Sequence, residues 1–290
     1  MFLQFIQNNL KKKIVRNLAV VANFAKIKPL AFLIPLFLML LIFLFLFSQN
    51  ALTTNAYLQI QKNAFYTINS FCAHFPNLMF NLTQLGDALI LLSFLTSLIV
   101  FVPKLWEALF AASVVSAVVS PLFKSIVAIP RPAAVYNPSS FQILGETLVG
   151  HNSLPSGHSM TIFTIITVLF IGFMPKNIFQ KTGYCMVLIA LGLAIALTRV
   201  GVGAHHPLDV LLGSLLGVCC GLLGILISQK LRIWFWMHHK KYYPIFIVLL
   251  LICASVLIKK VLIQPLLVFY LAAASLLFSL YIFVYVYFKK

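Results

Sequence analysis

From Pro29 to Phe47 the chain runs without one charged side chain, and further apolar runs follow at intervals to the C-terminal end. About 20 apolar residues suffice to cross a bilayer as a helix. Lipid offers backbone groups no water to bond, so such runs must close their own hydrogen bonds as helices. Of the 290 residues 62% are hydrophobic and only 9% charged, where soluble domains carry about 25% charged residues. The chain therefore reads as all-α, a polytopic membrane helix bundle. Its net charge of +17 sets 21 Lys and Arg against four acids, Asp87, Glu107, Glu146 and Asp209. Nucleic-acid binding would need a soluble basic face. Here the cations sit mostly at the ends of apolar runs, which is how membrane orientation is written, and no nucleic-acid partner is expected. Five cysteines without paired spacing, four of them inside apolar runs, argue for neither disulfides nor a zinc site.

Taken in order, residues 1–28 form a basic amphipathic N-terminal segment with Lys11, Lys12, Lys13, Arg16, Lys26 and Lys28. Pro29–Phe47 is too long for a cleaved signal and has no small-residue cleavage site, so it reads as a retained span. Spans are predicted near 29–47, 87–103, 105–129, 157–174, 183–199, 207–228, 243–258 and 262–287, about eight in all. Pro121 is expected to kink the third. The mixed stretch 48–86 is expected to hold an interfacial helix ending near Gly86. Residues 29–230 thus form a six-span core, and 231–290 a basic connector with two additional transmembrane helices. Trp234 and Trp236 read as an inner-face aromatic belt, and His74, His238 and His239 as solvated or headgroup contacts.

With the N-terminus inside, fifteen of the 21 Lys and Arg fall in inside segments, and Lys62, Lys124, Arg131, Arg199, Lys259 and Lys260 fall outside or at outer span ends. This bias predicts a cytoplasmic (inner) membrane protein with both termini cytoplasmic.

Three of those outer charges, Lys124, Arg131 and Arg199, lie at depths where a cation is costly and usually functional. Leu154–Met160 reads LPSGHSM at the start of an apolar run. Ser156 can cap the following helix, Gly157 allows close backbone approach, and a helix N-terminus favours an anion. His158 adds a proton donor or acceptor at that mouth. Span parity brings Lys124, Arg131, Ser156, His158, Arg199, His205 and Asp209 to one membrane face. Three cations, a helix N-terminus, two histidines and a carboxylate suit a highly charged phosphate.

Lys124-x6-Arg131-Pro132, Pro155-Ser156-Gly157-His158 and Thr198-Arg199-x5-His205-x3-Asp209 resemble the three-part signature of the type 2 phosphatidic acid phosphatase superfamily, which also contains haloperoxidases. The resemblance covers roughly 29–230 and says nothing of the last two spans. Thr198 departs from the usual Ser but keeps a hydroxyl. The resemblance implies a six-helix lipid phosphatase core and a membrane lipid substrate releasing phosphate. His205 would be the nucleophile forming a phosphohistidine, and Asp209 would fix its tautomer. His158 would be the general acid. Lys124, Arg131, Arg199, Ser156 and Gly157 would hold the phosphate oxygens. His206 lacks the three-residue gap before Asp209 and is set aside as nucleophile.

No carboxylate cluster is available for Mg²⁺, so no metal or other cofactor is expected. His151, Glu146 and Asn152 read as solvated loop residues. Isoprenyl (undecaprenyl) diphosphate, phosphatidate, phosphatidylglycerol phosphate and lipid A phosphates all remain candidate substrates, an isoprenyl diphosphate or a phosphatidyl phosphate being favoured slightly. A phosphotransferase using the same phosphohistidine is the nearest rival. A transporter would instead place charges near mid-span or show repeats. The sequence does not address oligomeric state.

Overall fold

The computed structural model describes residues 2–231 and 233–288, and it is helical throughout, with no strand among the described residues. Arg232, Lys289 and Lys290, counted in the charge tally, lie outside the described residues.

Two short helices, α1 (Phe2–Lys11) and α2 (Lys13–Phe24), lead into α3 (Leu33–Ser48). Next come α4 (Thr54–Ala73), α5 (Pro76–Gln84), α6 (Ala88–Ser93), α7 (Leu98–Phe101) and α8 (Pro103–Val127). A one-turn helix, α9 (Pro132–Val135), precedes α10 (Gly157–Gly172), α11 (Ile178–Gly201) and α12 (Pro207–Lys230). The hairpin α13 (Tyr243–Ile263) and α14 (Leu267–Phe288) closes the chain. Among the described residues six helical stretches are long and apolar enough to cross a membrane, namely Pro29–Ser48, Pro103–Val135, Ile178–Gly201, Pro207–Lys230, Lys240–Ile263 and Leu267–Phe288, with Gly157–Gly172 shorter. The protein is a polytopic membrane helix bundle.

Helix starts follow local chemistry. Proline occupies the first turn of α5, α8 and α12, where its missing N–H costs nothing. Thr53, Asp87, Ser156 and Asn177 each cap a helix, their side chains accepting hydrogen bonds from first-turn N–H groups. Pro121 stays inside α8, which ends at Ala128 with φ 48°, a left-handed residue that turns the chain toward Arg131.

Three expectations are corrected. The second span, 87–103, is not one helix: α6 and α7 are separated by a turn at Phe94–Ser97. There the Ser93 carbonyl, which the next turn's N–H would take in a continuous helix, accepts from Thr96 Oγ1 and from Ser275 Oγ of α14, both at 3.1 Å, and Thr96 Oγ1 also bonds Ser279 Oγ at 2.7 Å. The stretch 48–86 holds two helices, and Tyr57, Leu58 and Phe65 of α4 are buried. His238 is no solvated residue: its Nε2 lies 2.6 Å from buried Glu107, which Lys104 also pairs. Trp234 stacks edge-on against Phe110 at 4.6 Å, packing on the core.

The innermost packing is α12 against α10 and α8. A Cβ on Gly213 would stand 2.7 Å from the Ser156 carbonyl oxygen, and one on Gly217 2.5 Å from that of Met160, so the α12 backbone lies directly on α10. The main apolar core joins α8, α10 and α12 to α13 and α14 through Leu105, Leu109, Val168, Ile225, Phe246 and Phe283.

Candidate active site

Each site residue sits where a helix begins or ends. Lys124 lies in the last turn of α8, Arg131 just beyond it, Ser156 to His158 at the start of α10, Arg199 at the end of α11, and Asp209 in the first turn of α12. Between α11 and α12 the Arg199 carbonyl accepts hydrogen bonds from the N–H groups of both Ala204 (3.0 Å) and His205 (3.1 Å), folding His205 back over that helix end. Gly203 makes the turn possible. Its φ is +75°, and a Cβ there would meet the Gln142 carbonyl at 2.8 Å.

His205 and Asp209 are both buried, at 2% and 0% exposure. His205 Nε2 lies 3.5 Å from Arg131 Nη1, and its Nδ1 points toward Asp209 Oδ2 at 3.8 Å and Ser153 Oγ at 3.4 Å. The 3.8 Å gap exceeds a hydrogen bond. Ser153 stands between them, donating to Asp209 Oδ2 at 2.6 Å. Asp209 also accepts from Tyr57 Oη at 2.8 Å and from the His206 N–H at 2.9 Å. Its carbonyl takes the Ser156 N–H at 3.0 Å, tying the start of α12 to the start of α10.

Burial, aided by the charges of Arg199 and Arg131 and partly opposed by Asp209, lowers the His205 pKa to about 3. The imidazole is therefore neutral in the folded protein near neutral pH, the form in which one ring nitrogen keeps a free lone pair.

The cations converge on the same place. Arg131 is anchored by Nε to Asn152 Oδ1 at 2.6 Å and by Nη1 to the Ala204 carbonyl at 3.1 Å. Arg199 donates from Nη1 to Thr83 Oγ1 at 2.7 Å, while its buried Nε has no partner among the described residues. Lys124 Nζ would stand 3.7 Å from a Cβ on Gly157, so it lies over the α10 N-terminus. His158 is within electrostatic reach of Arg199, His205, Lys124 and Arg131. Its ring rests on Gly86, where a Cβ would come within 2.5 Å of it. The structure thus brings together all eight residues singled out from the sequence.

His206 is fully buried and lies apart from this cluster. Its Nε2 is 3.2 Å from the Pro130 carbonyl, and its ring packs on Phe65 and Tyr136 at 5.8 and 5.6 Å. The Thr198 hydroxyl bonds back to Ile195 within α11. Glu146, His151 and Asn152 are all exposed in the loop, and Asn152 in addition holds Arg131. Tyr57, Thr83, Gly86 and Ser153 were not foreseen. Tyr57 and Thr83 lie far away in sequence with no spacing to mark them; Ser153, three residues before Ser156, was the one within reach of a local reading.

Among the described residues no three His, Cys, Asp or Glu side chains group as metal ligands. The site is instead a pocket of cations around a neutral imidazole.

Residues 104–233, which contain every residue of this cluster, match the PAP2 superfamily. The chain is 36% identical over 80 residues to the bacitracin transport permease protein BcrC of Bacillus licheniformis, a match covering 28% of this chain and 36% of that protein. It is 30% identical over 133 residues to the lipid A 1-phosphatase of Rhizobium johnstonii, covering 44% of this chain and 49% of that one. The lipid A 1-phosphatase of Rhizobium etli is 29% identical over 148 residues, covering 47% and 58%. The chain thus spans between 36% and 58% of the length of these curated relatives. Among solved structures, Aquifex aeolicus LpxE shares 26% identity, covering 58% of this chain and 95% of that one, with a TM-score of 0.46.

Proposed function

We propose that this chain, whose residues 104–233 match the PAP2 superfamily, is an integral membrane lipid phosphatase working through a phosphohistidine. The observation that carries the reading is the setting of His205: one ring nitrogen faces Arg131 and the other faces Ser153 and Asp209.

In the first step His205 Nε2 attacks phosphorus as the bond to the lipid oxygen breaks, and His158 gives that oxygen its proton. Nδ1–H is held toward Asp209, directly or through Ser153 Oγ, which steadies the tautomer and the positive charge that develops on the ring. Lys124, Arg131, Arg199 and the N–H groups at the start of α10 take the non-bridging oxygens and spread the transition-state charge. In the second step His158 accepts a proton from water, whose oxygen attacks phosphorus and releases phosphate and a neutral His205.

The lipid A 1-phosphatase relatives support a lipid substrate. Isoprenyl diphosphates, phosphatidate, phosphatidylglycerol phosphate and lipid A phosphates all present the group this site suits. The Lys/Arg bias supports an outward-facing site in the cytoplasmic membrane.

The test is phosphate release from a panel of these purified lipids in detergent, with excess EDTA and with vanadate. Release that survives EDTA, stops with vanadate and passes through an acid-labile phosphoenzyme supports the mechanism. Loss to EDTA with restoration by Mg²⁺ refutes it. An added acceptor alcohol that raises turnover identifies a phosphotransferase instead.

A further inference from the structure

Along α8, Ser113, Ser116, Ser120 and Lys124 fall three, four and four residues apart, which places them on one face of the helix. The sequence signature uses only the last of them. A hydroxyl in an apolar helix ordinarily bonds a carbonyl one turn back. Ser125 does so to Leu122, Thr161 to Gly157 and Thr167 to Phe163. No hydrogen bond of the Ser113, Ser116 or Ser120 side chain occurs among the described residues, although Ser116 is buried. All three line a cavity of about 360 Å³ between α8 and α10, which His158 and Gly157 also border.

Polar groups left unmet in an apolar helix bundle are costly, and a hydrocarbon chain in this cavity would leave three hydroxyls unmet. A hydroxylated group would meet them. The cavity's place is equally specific: it is bordered by His158, the proposed donor to the departing oxygen, and by Gly157, over which Lys124 lies. From Ser120 down to Ser113 it extends about 10 Å along α8, at 1.5 Å per residue.

We propose that this cavity is the leaving-group subsite and takes a hydroxylated headgroup, a sugar or polyol, rather than a hydrocarbon chain. This rests on the phosphatase reading above and narrows its substrate class. A site built to bond hydroxyls discriminates strongly against an analogue that lacks them, since its own polar groups are then left unpaired.

The test uses the purified full chain in detergent with two probes, an acylated glucosamine 1-phosphate and hexadecyl phosphate. The wild type should prefer the sugar probe in kcat/KM. The double variant Ser113→Ala/Ser116→Ala should lower that preference about tenfold or more, chiefly through KM. Ser116→Thr, which keeps a hydroxyl, should retain most of it. Ser113→Ala alone should move the ratio in the same direction, and it serves if the double variant does not fold. An unchanged ratio, or equal loss on both probes, overturns the subsite. Wild-type turnover of hexadecyl phosphate but not of the sugar probe overturns it too, while leaving the phosphatase reading intact. Phosphate release from neither probe, nor from the lipid panel, sinks the phosphatase reading itself and the subsite with it.

Discussion

Lys260, near the end of α13, meets Asp87 at 3.1 Å, and Asp87 follows directly on the glycine against which the His158 ring rests. Asp87 also caps α6 by accepting from the Leu89 N–H at 2.9 Å. One side chain of the C-terminal hairpin therefore bears on the segment that supports the proposed general acid. Asn81 Oδ1, which accepts the Val268 N–H at 3.2 Å, makes a second link between the hairpin and the preceding α5.

The pair is about one-third exposed, so its direct worth to stability is about 0–1 kcal/mol at most. Lys260→Met should accordingly leave the thermal midpoint almost unchanged yet lower kcat about threefold to tenfold through a looser His158. The loss should be larger for alkyl than for aryl phosphates, because only the poorer leaving group depends on protonation. The swapped pair Lys260→Asp/Asp87→Lys should recover part of it. Equal loss on both substrates would assign Lys260 to another task.

Gly86→Ala carries the same argument further. The new Cβ would lie 2.5–2.8 Å from three His158 atoms, and the ring must move. Activity on alkyl phosphates should fall about 10²-fold or more, approaching the effect of His158→Ala. An aryl substrate should suffer less, which steady-state kinetics with matched esters would reveal.

The two adjacent histidines should separate cleanly. His205→Ala should abolish both turnover and the acid-labile phosphoenzyme. His206→Ala should still form phosphoenzyme but lose about 2 kcal/mol or more of stability, because it opens a void against Phe65 and Tyr136 and strips the Pro130 carbonyl of its partner. Tyr57→Phe removes one of the donors to Asp209; a bond to a charged group is worth about 1.5–3 kcal/mol, so kcat should drop about 10–100-fold. A phosphoenzyme lost in His206→Ala but kept in His205→Ala would mean that the nucleophile has been misassigned.

Protonation of His205 gives a pH signature. Its pKa is near 3 in the folded chain and about 6.5 when unfolded. Below about pH 6.5 the unfolded chain binds a proton that the folded chain refuses, so stability falls as the pH falls from there toward 3. His206, likewise lowered by burial, adds in the same direction. Thermal midpoints from pH 7.5 to 4.5 should decline less steeply in His205→Gln than in the wild type. Parallel curves would contradict the buried, neutral imidazole.

The apolar runs and the motif spacings carried most of the bundle and every member of the cation pocket, because both rest on local patterns along the chain. What they did not carry depends on partners distant in sequence. Tyr57 reaches Asp209 across 152 residues and Arg199 reaches Thr83 across 116, and neither residue type is unusual where it stands. Nor could hydropathy reveal the break between α6 and α7, since its cause lies in Ser275 and Ser279 of α14. His238 looked like an interfacial residue because Glu107, its partner, belongs to a different apolar run.

The close seat of α12 on α10 has a bearing on how such a site can change. The spacing between His205 and the proposed phosphate cradle is gauged about three turns into α12 and one turn into α10, where Gly217 rests on Met160 with no room for a Cβ. A methyl group there would push two helices apart and pull the proposed nucleophile and cradle out of register without touching either. Variation in that stripe is therefore closed to the chain. New lipid preferences can be tried only on walls that do not set this spacing, such as the serine face of α8 and the segment held by Lys260.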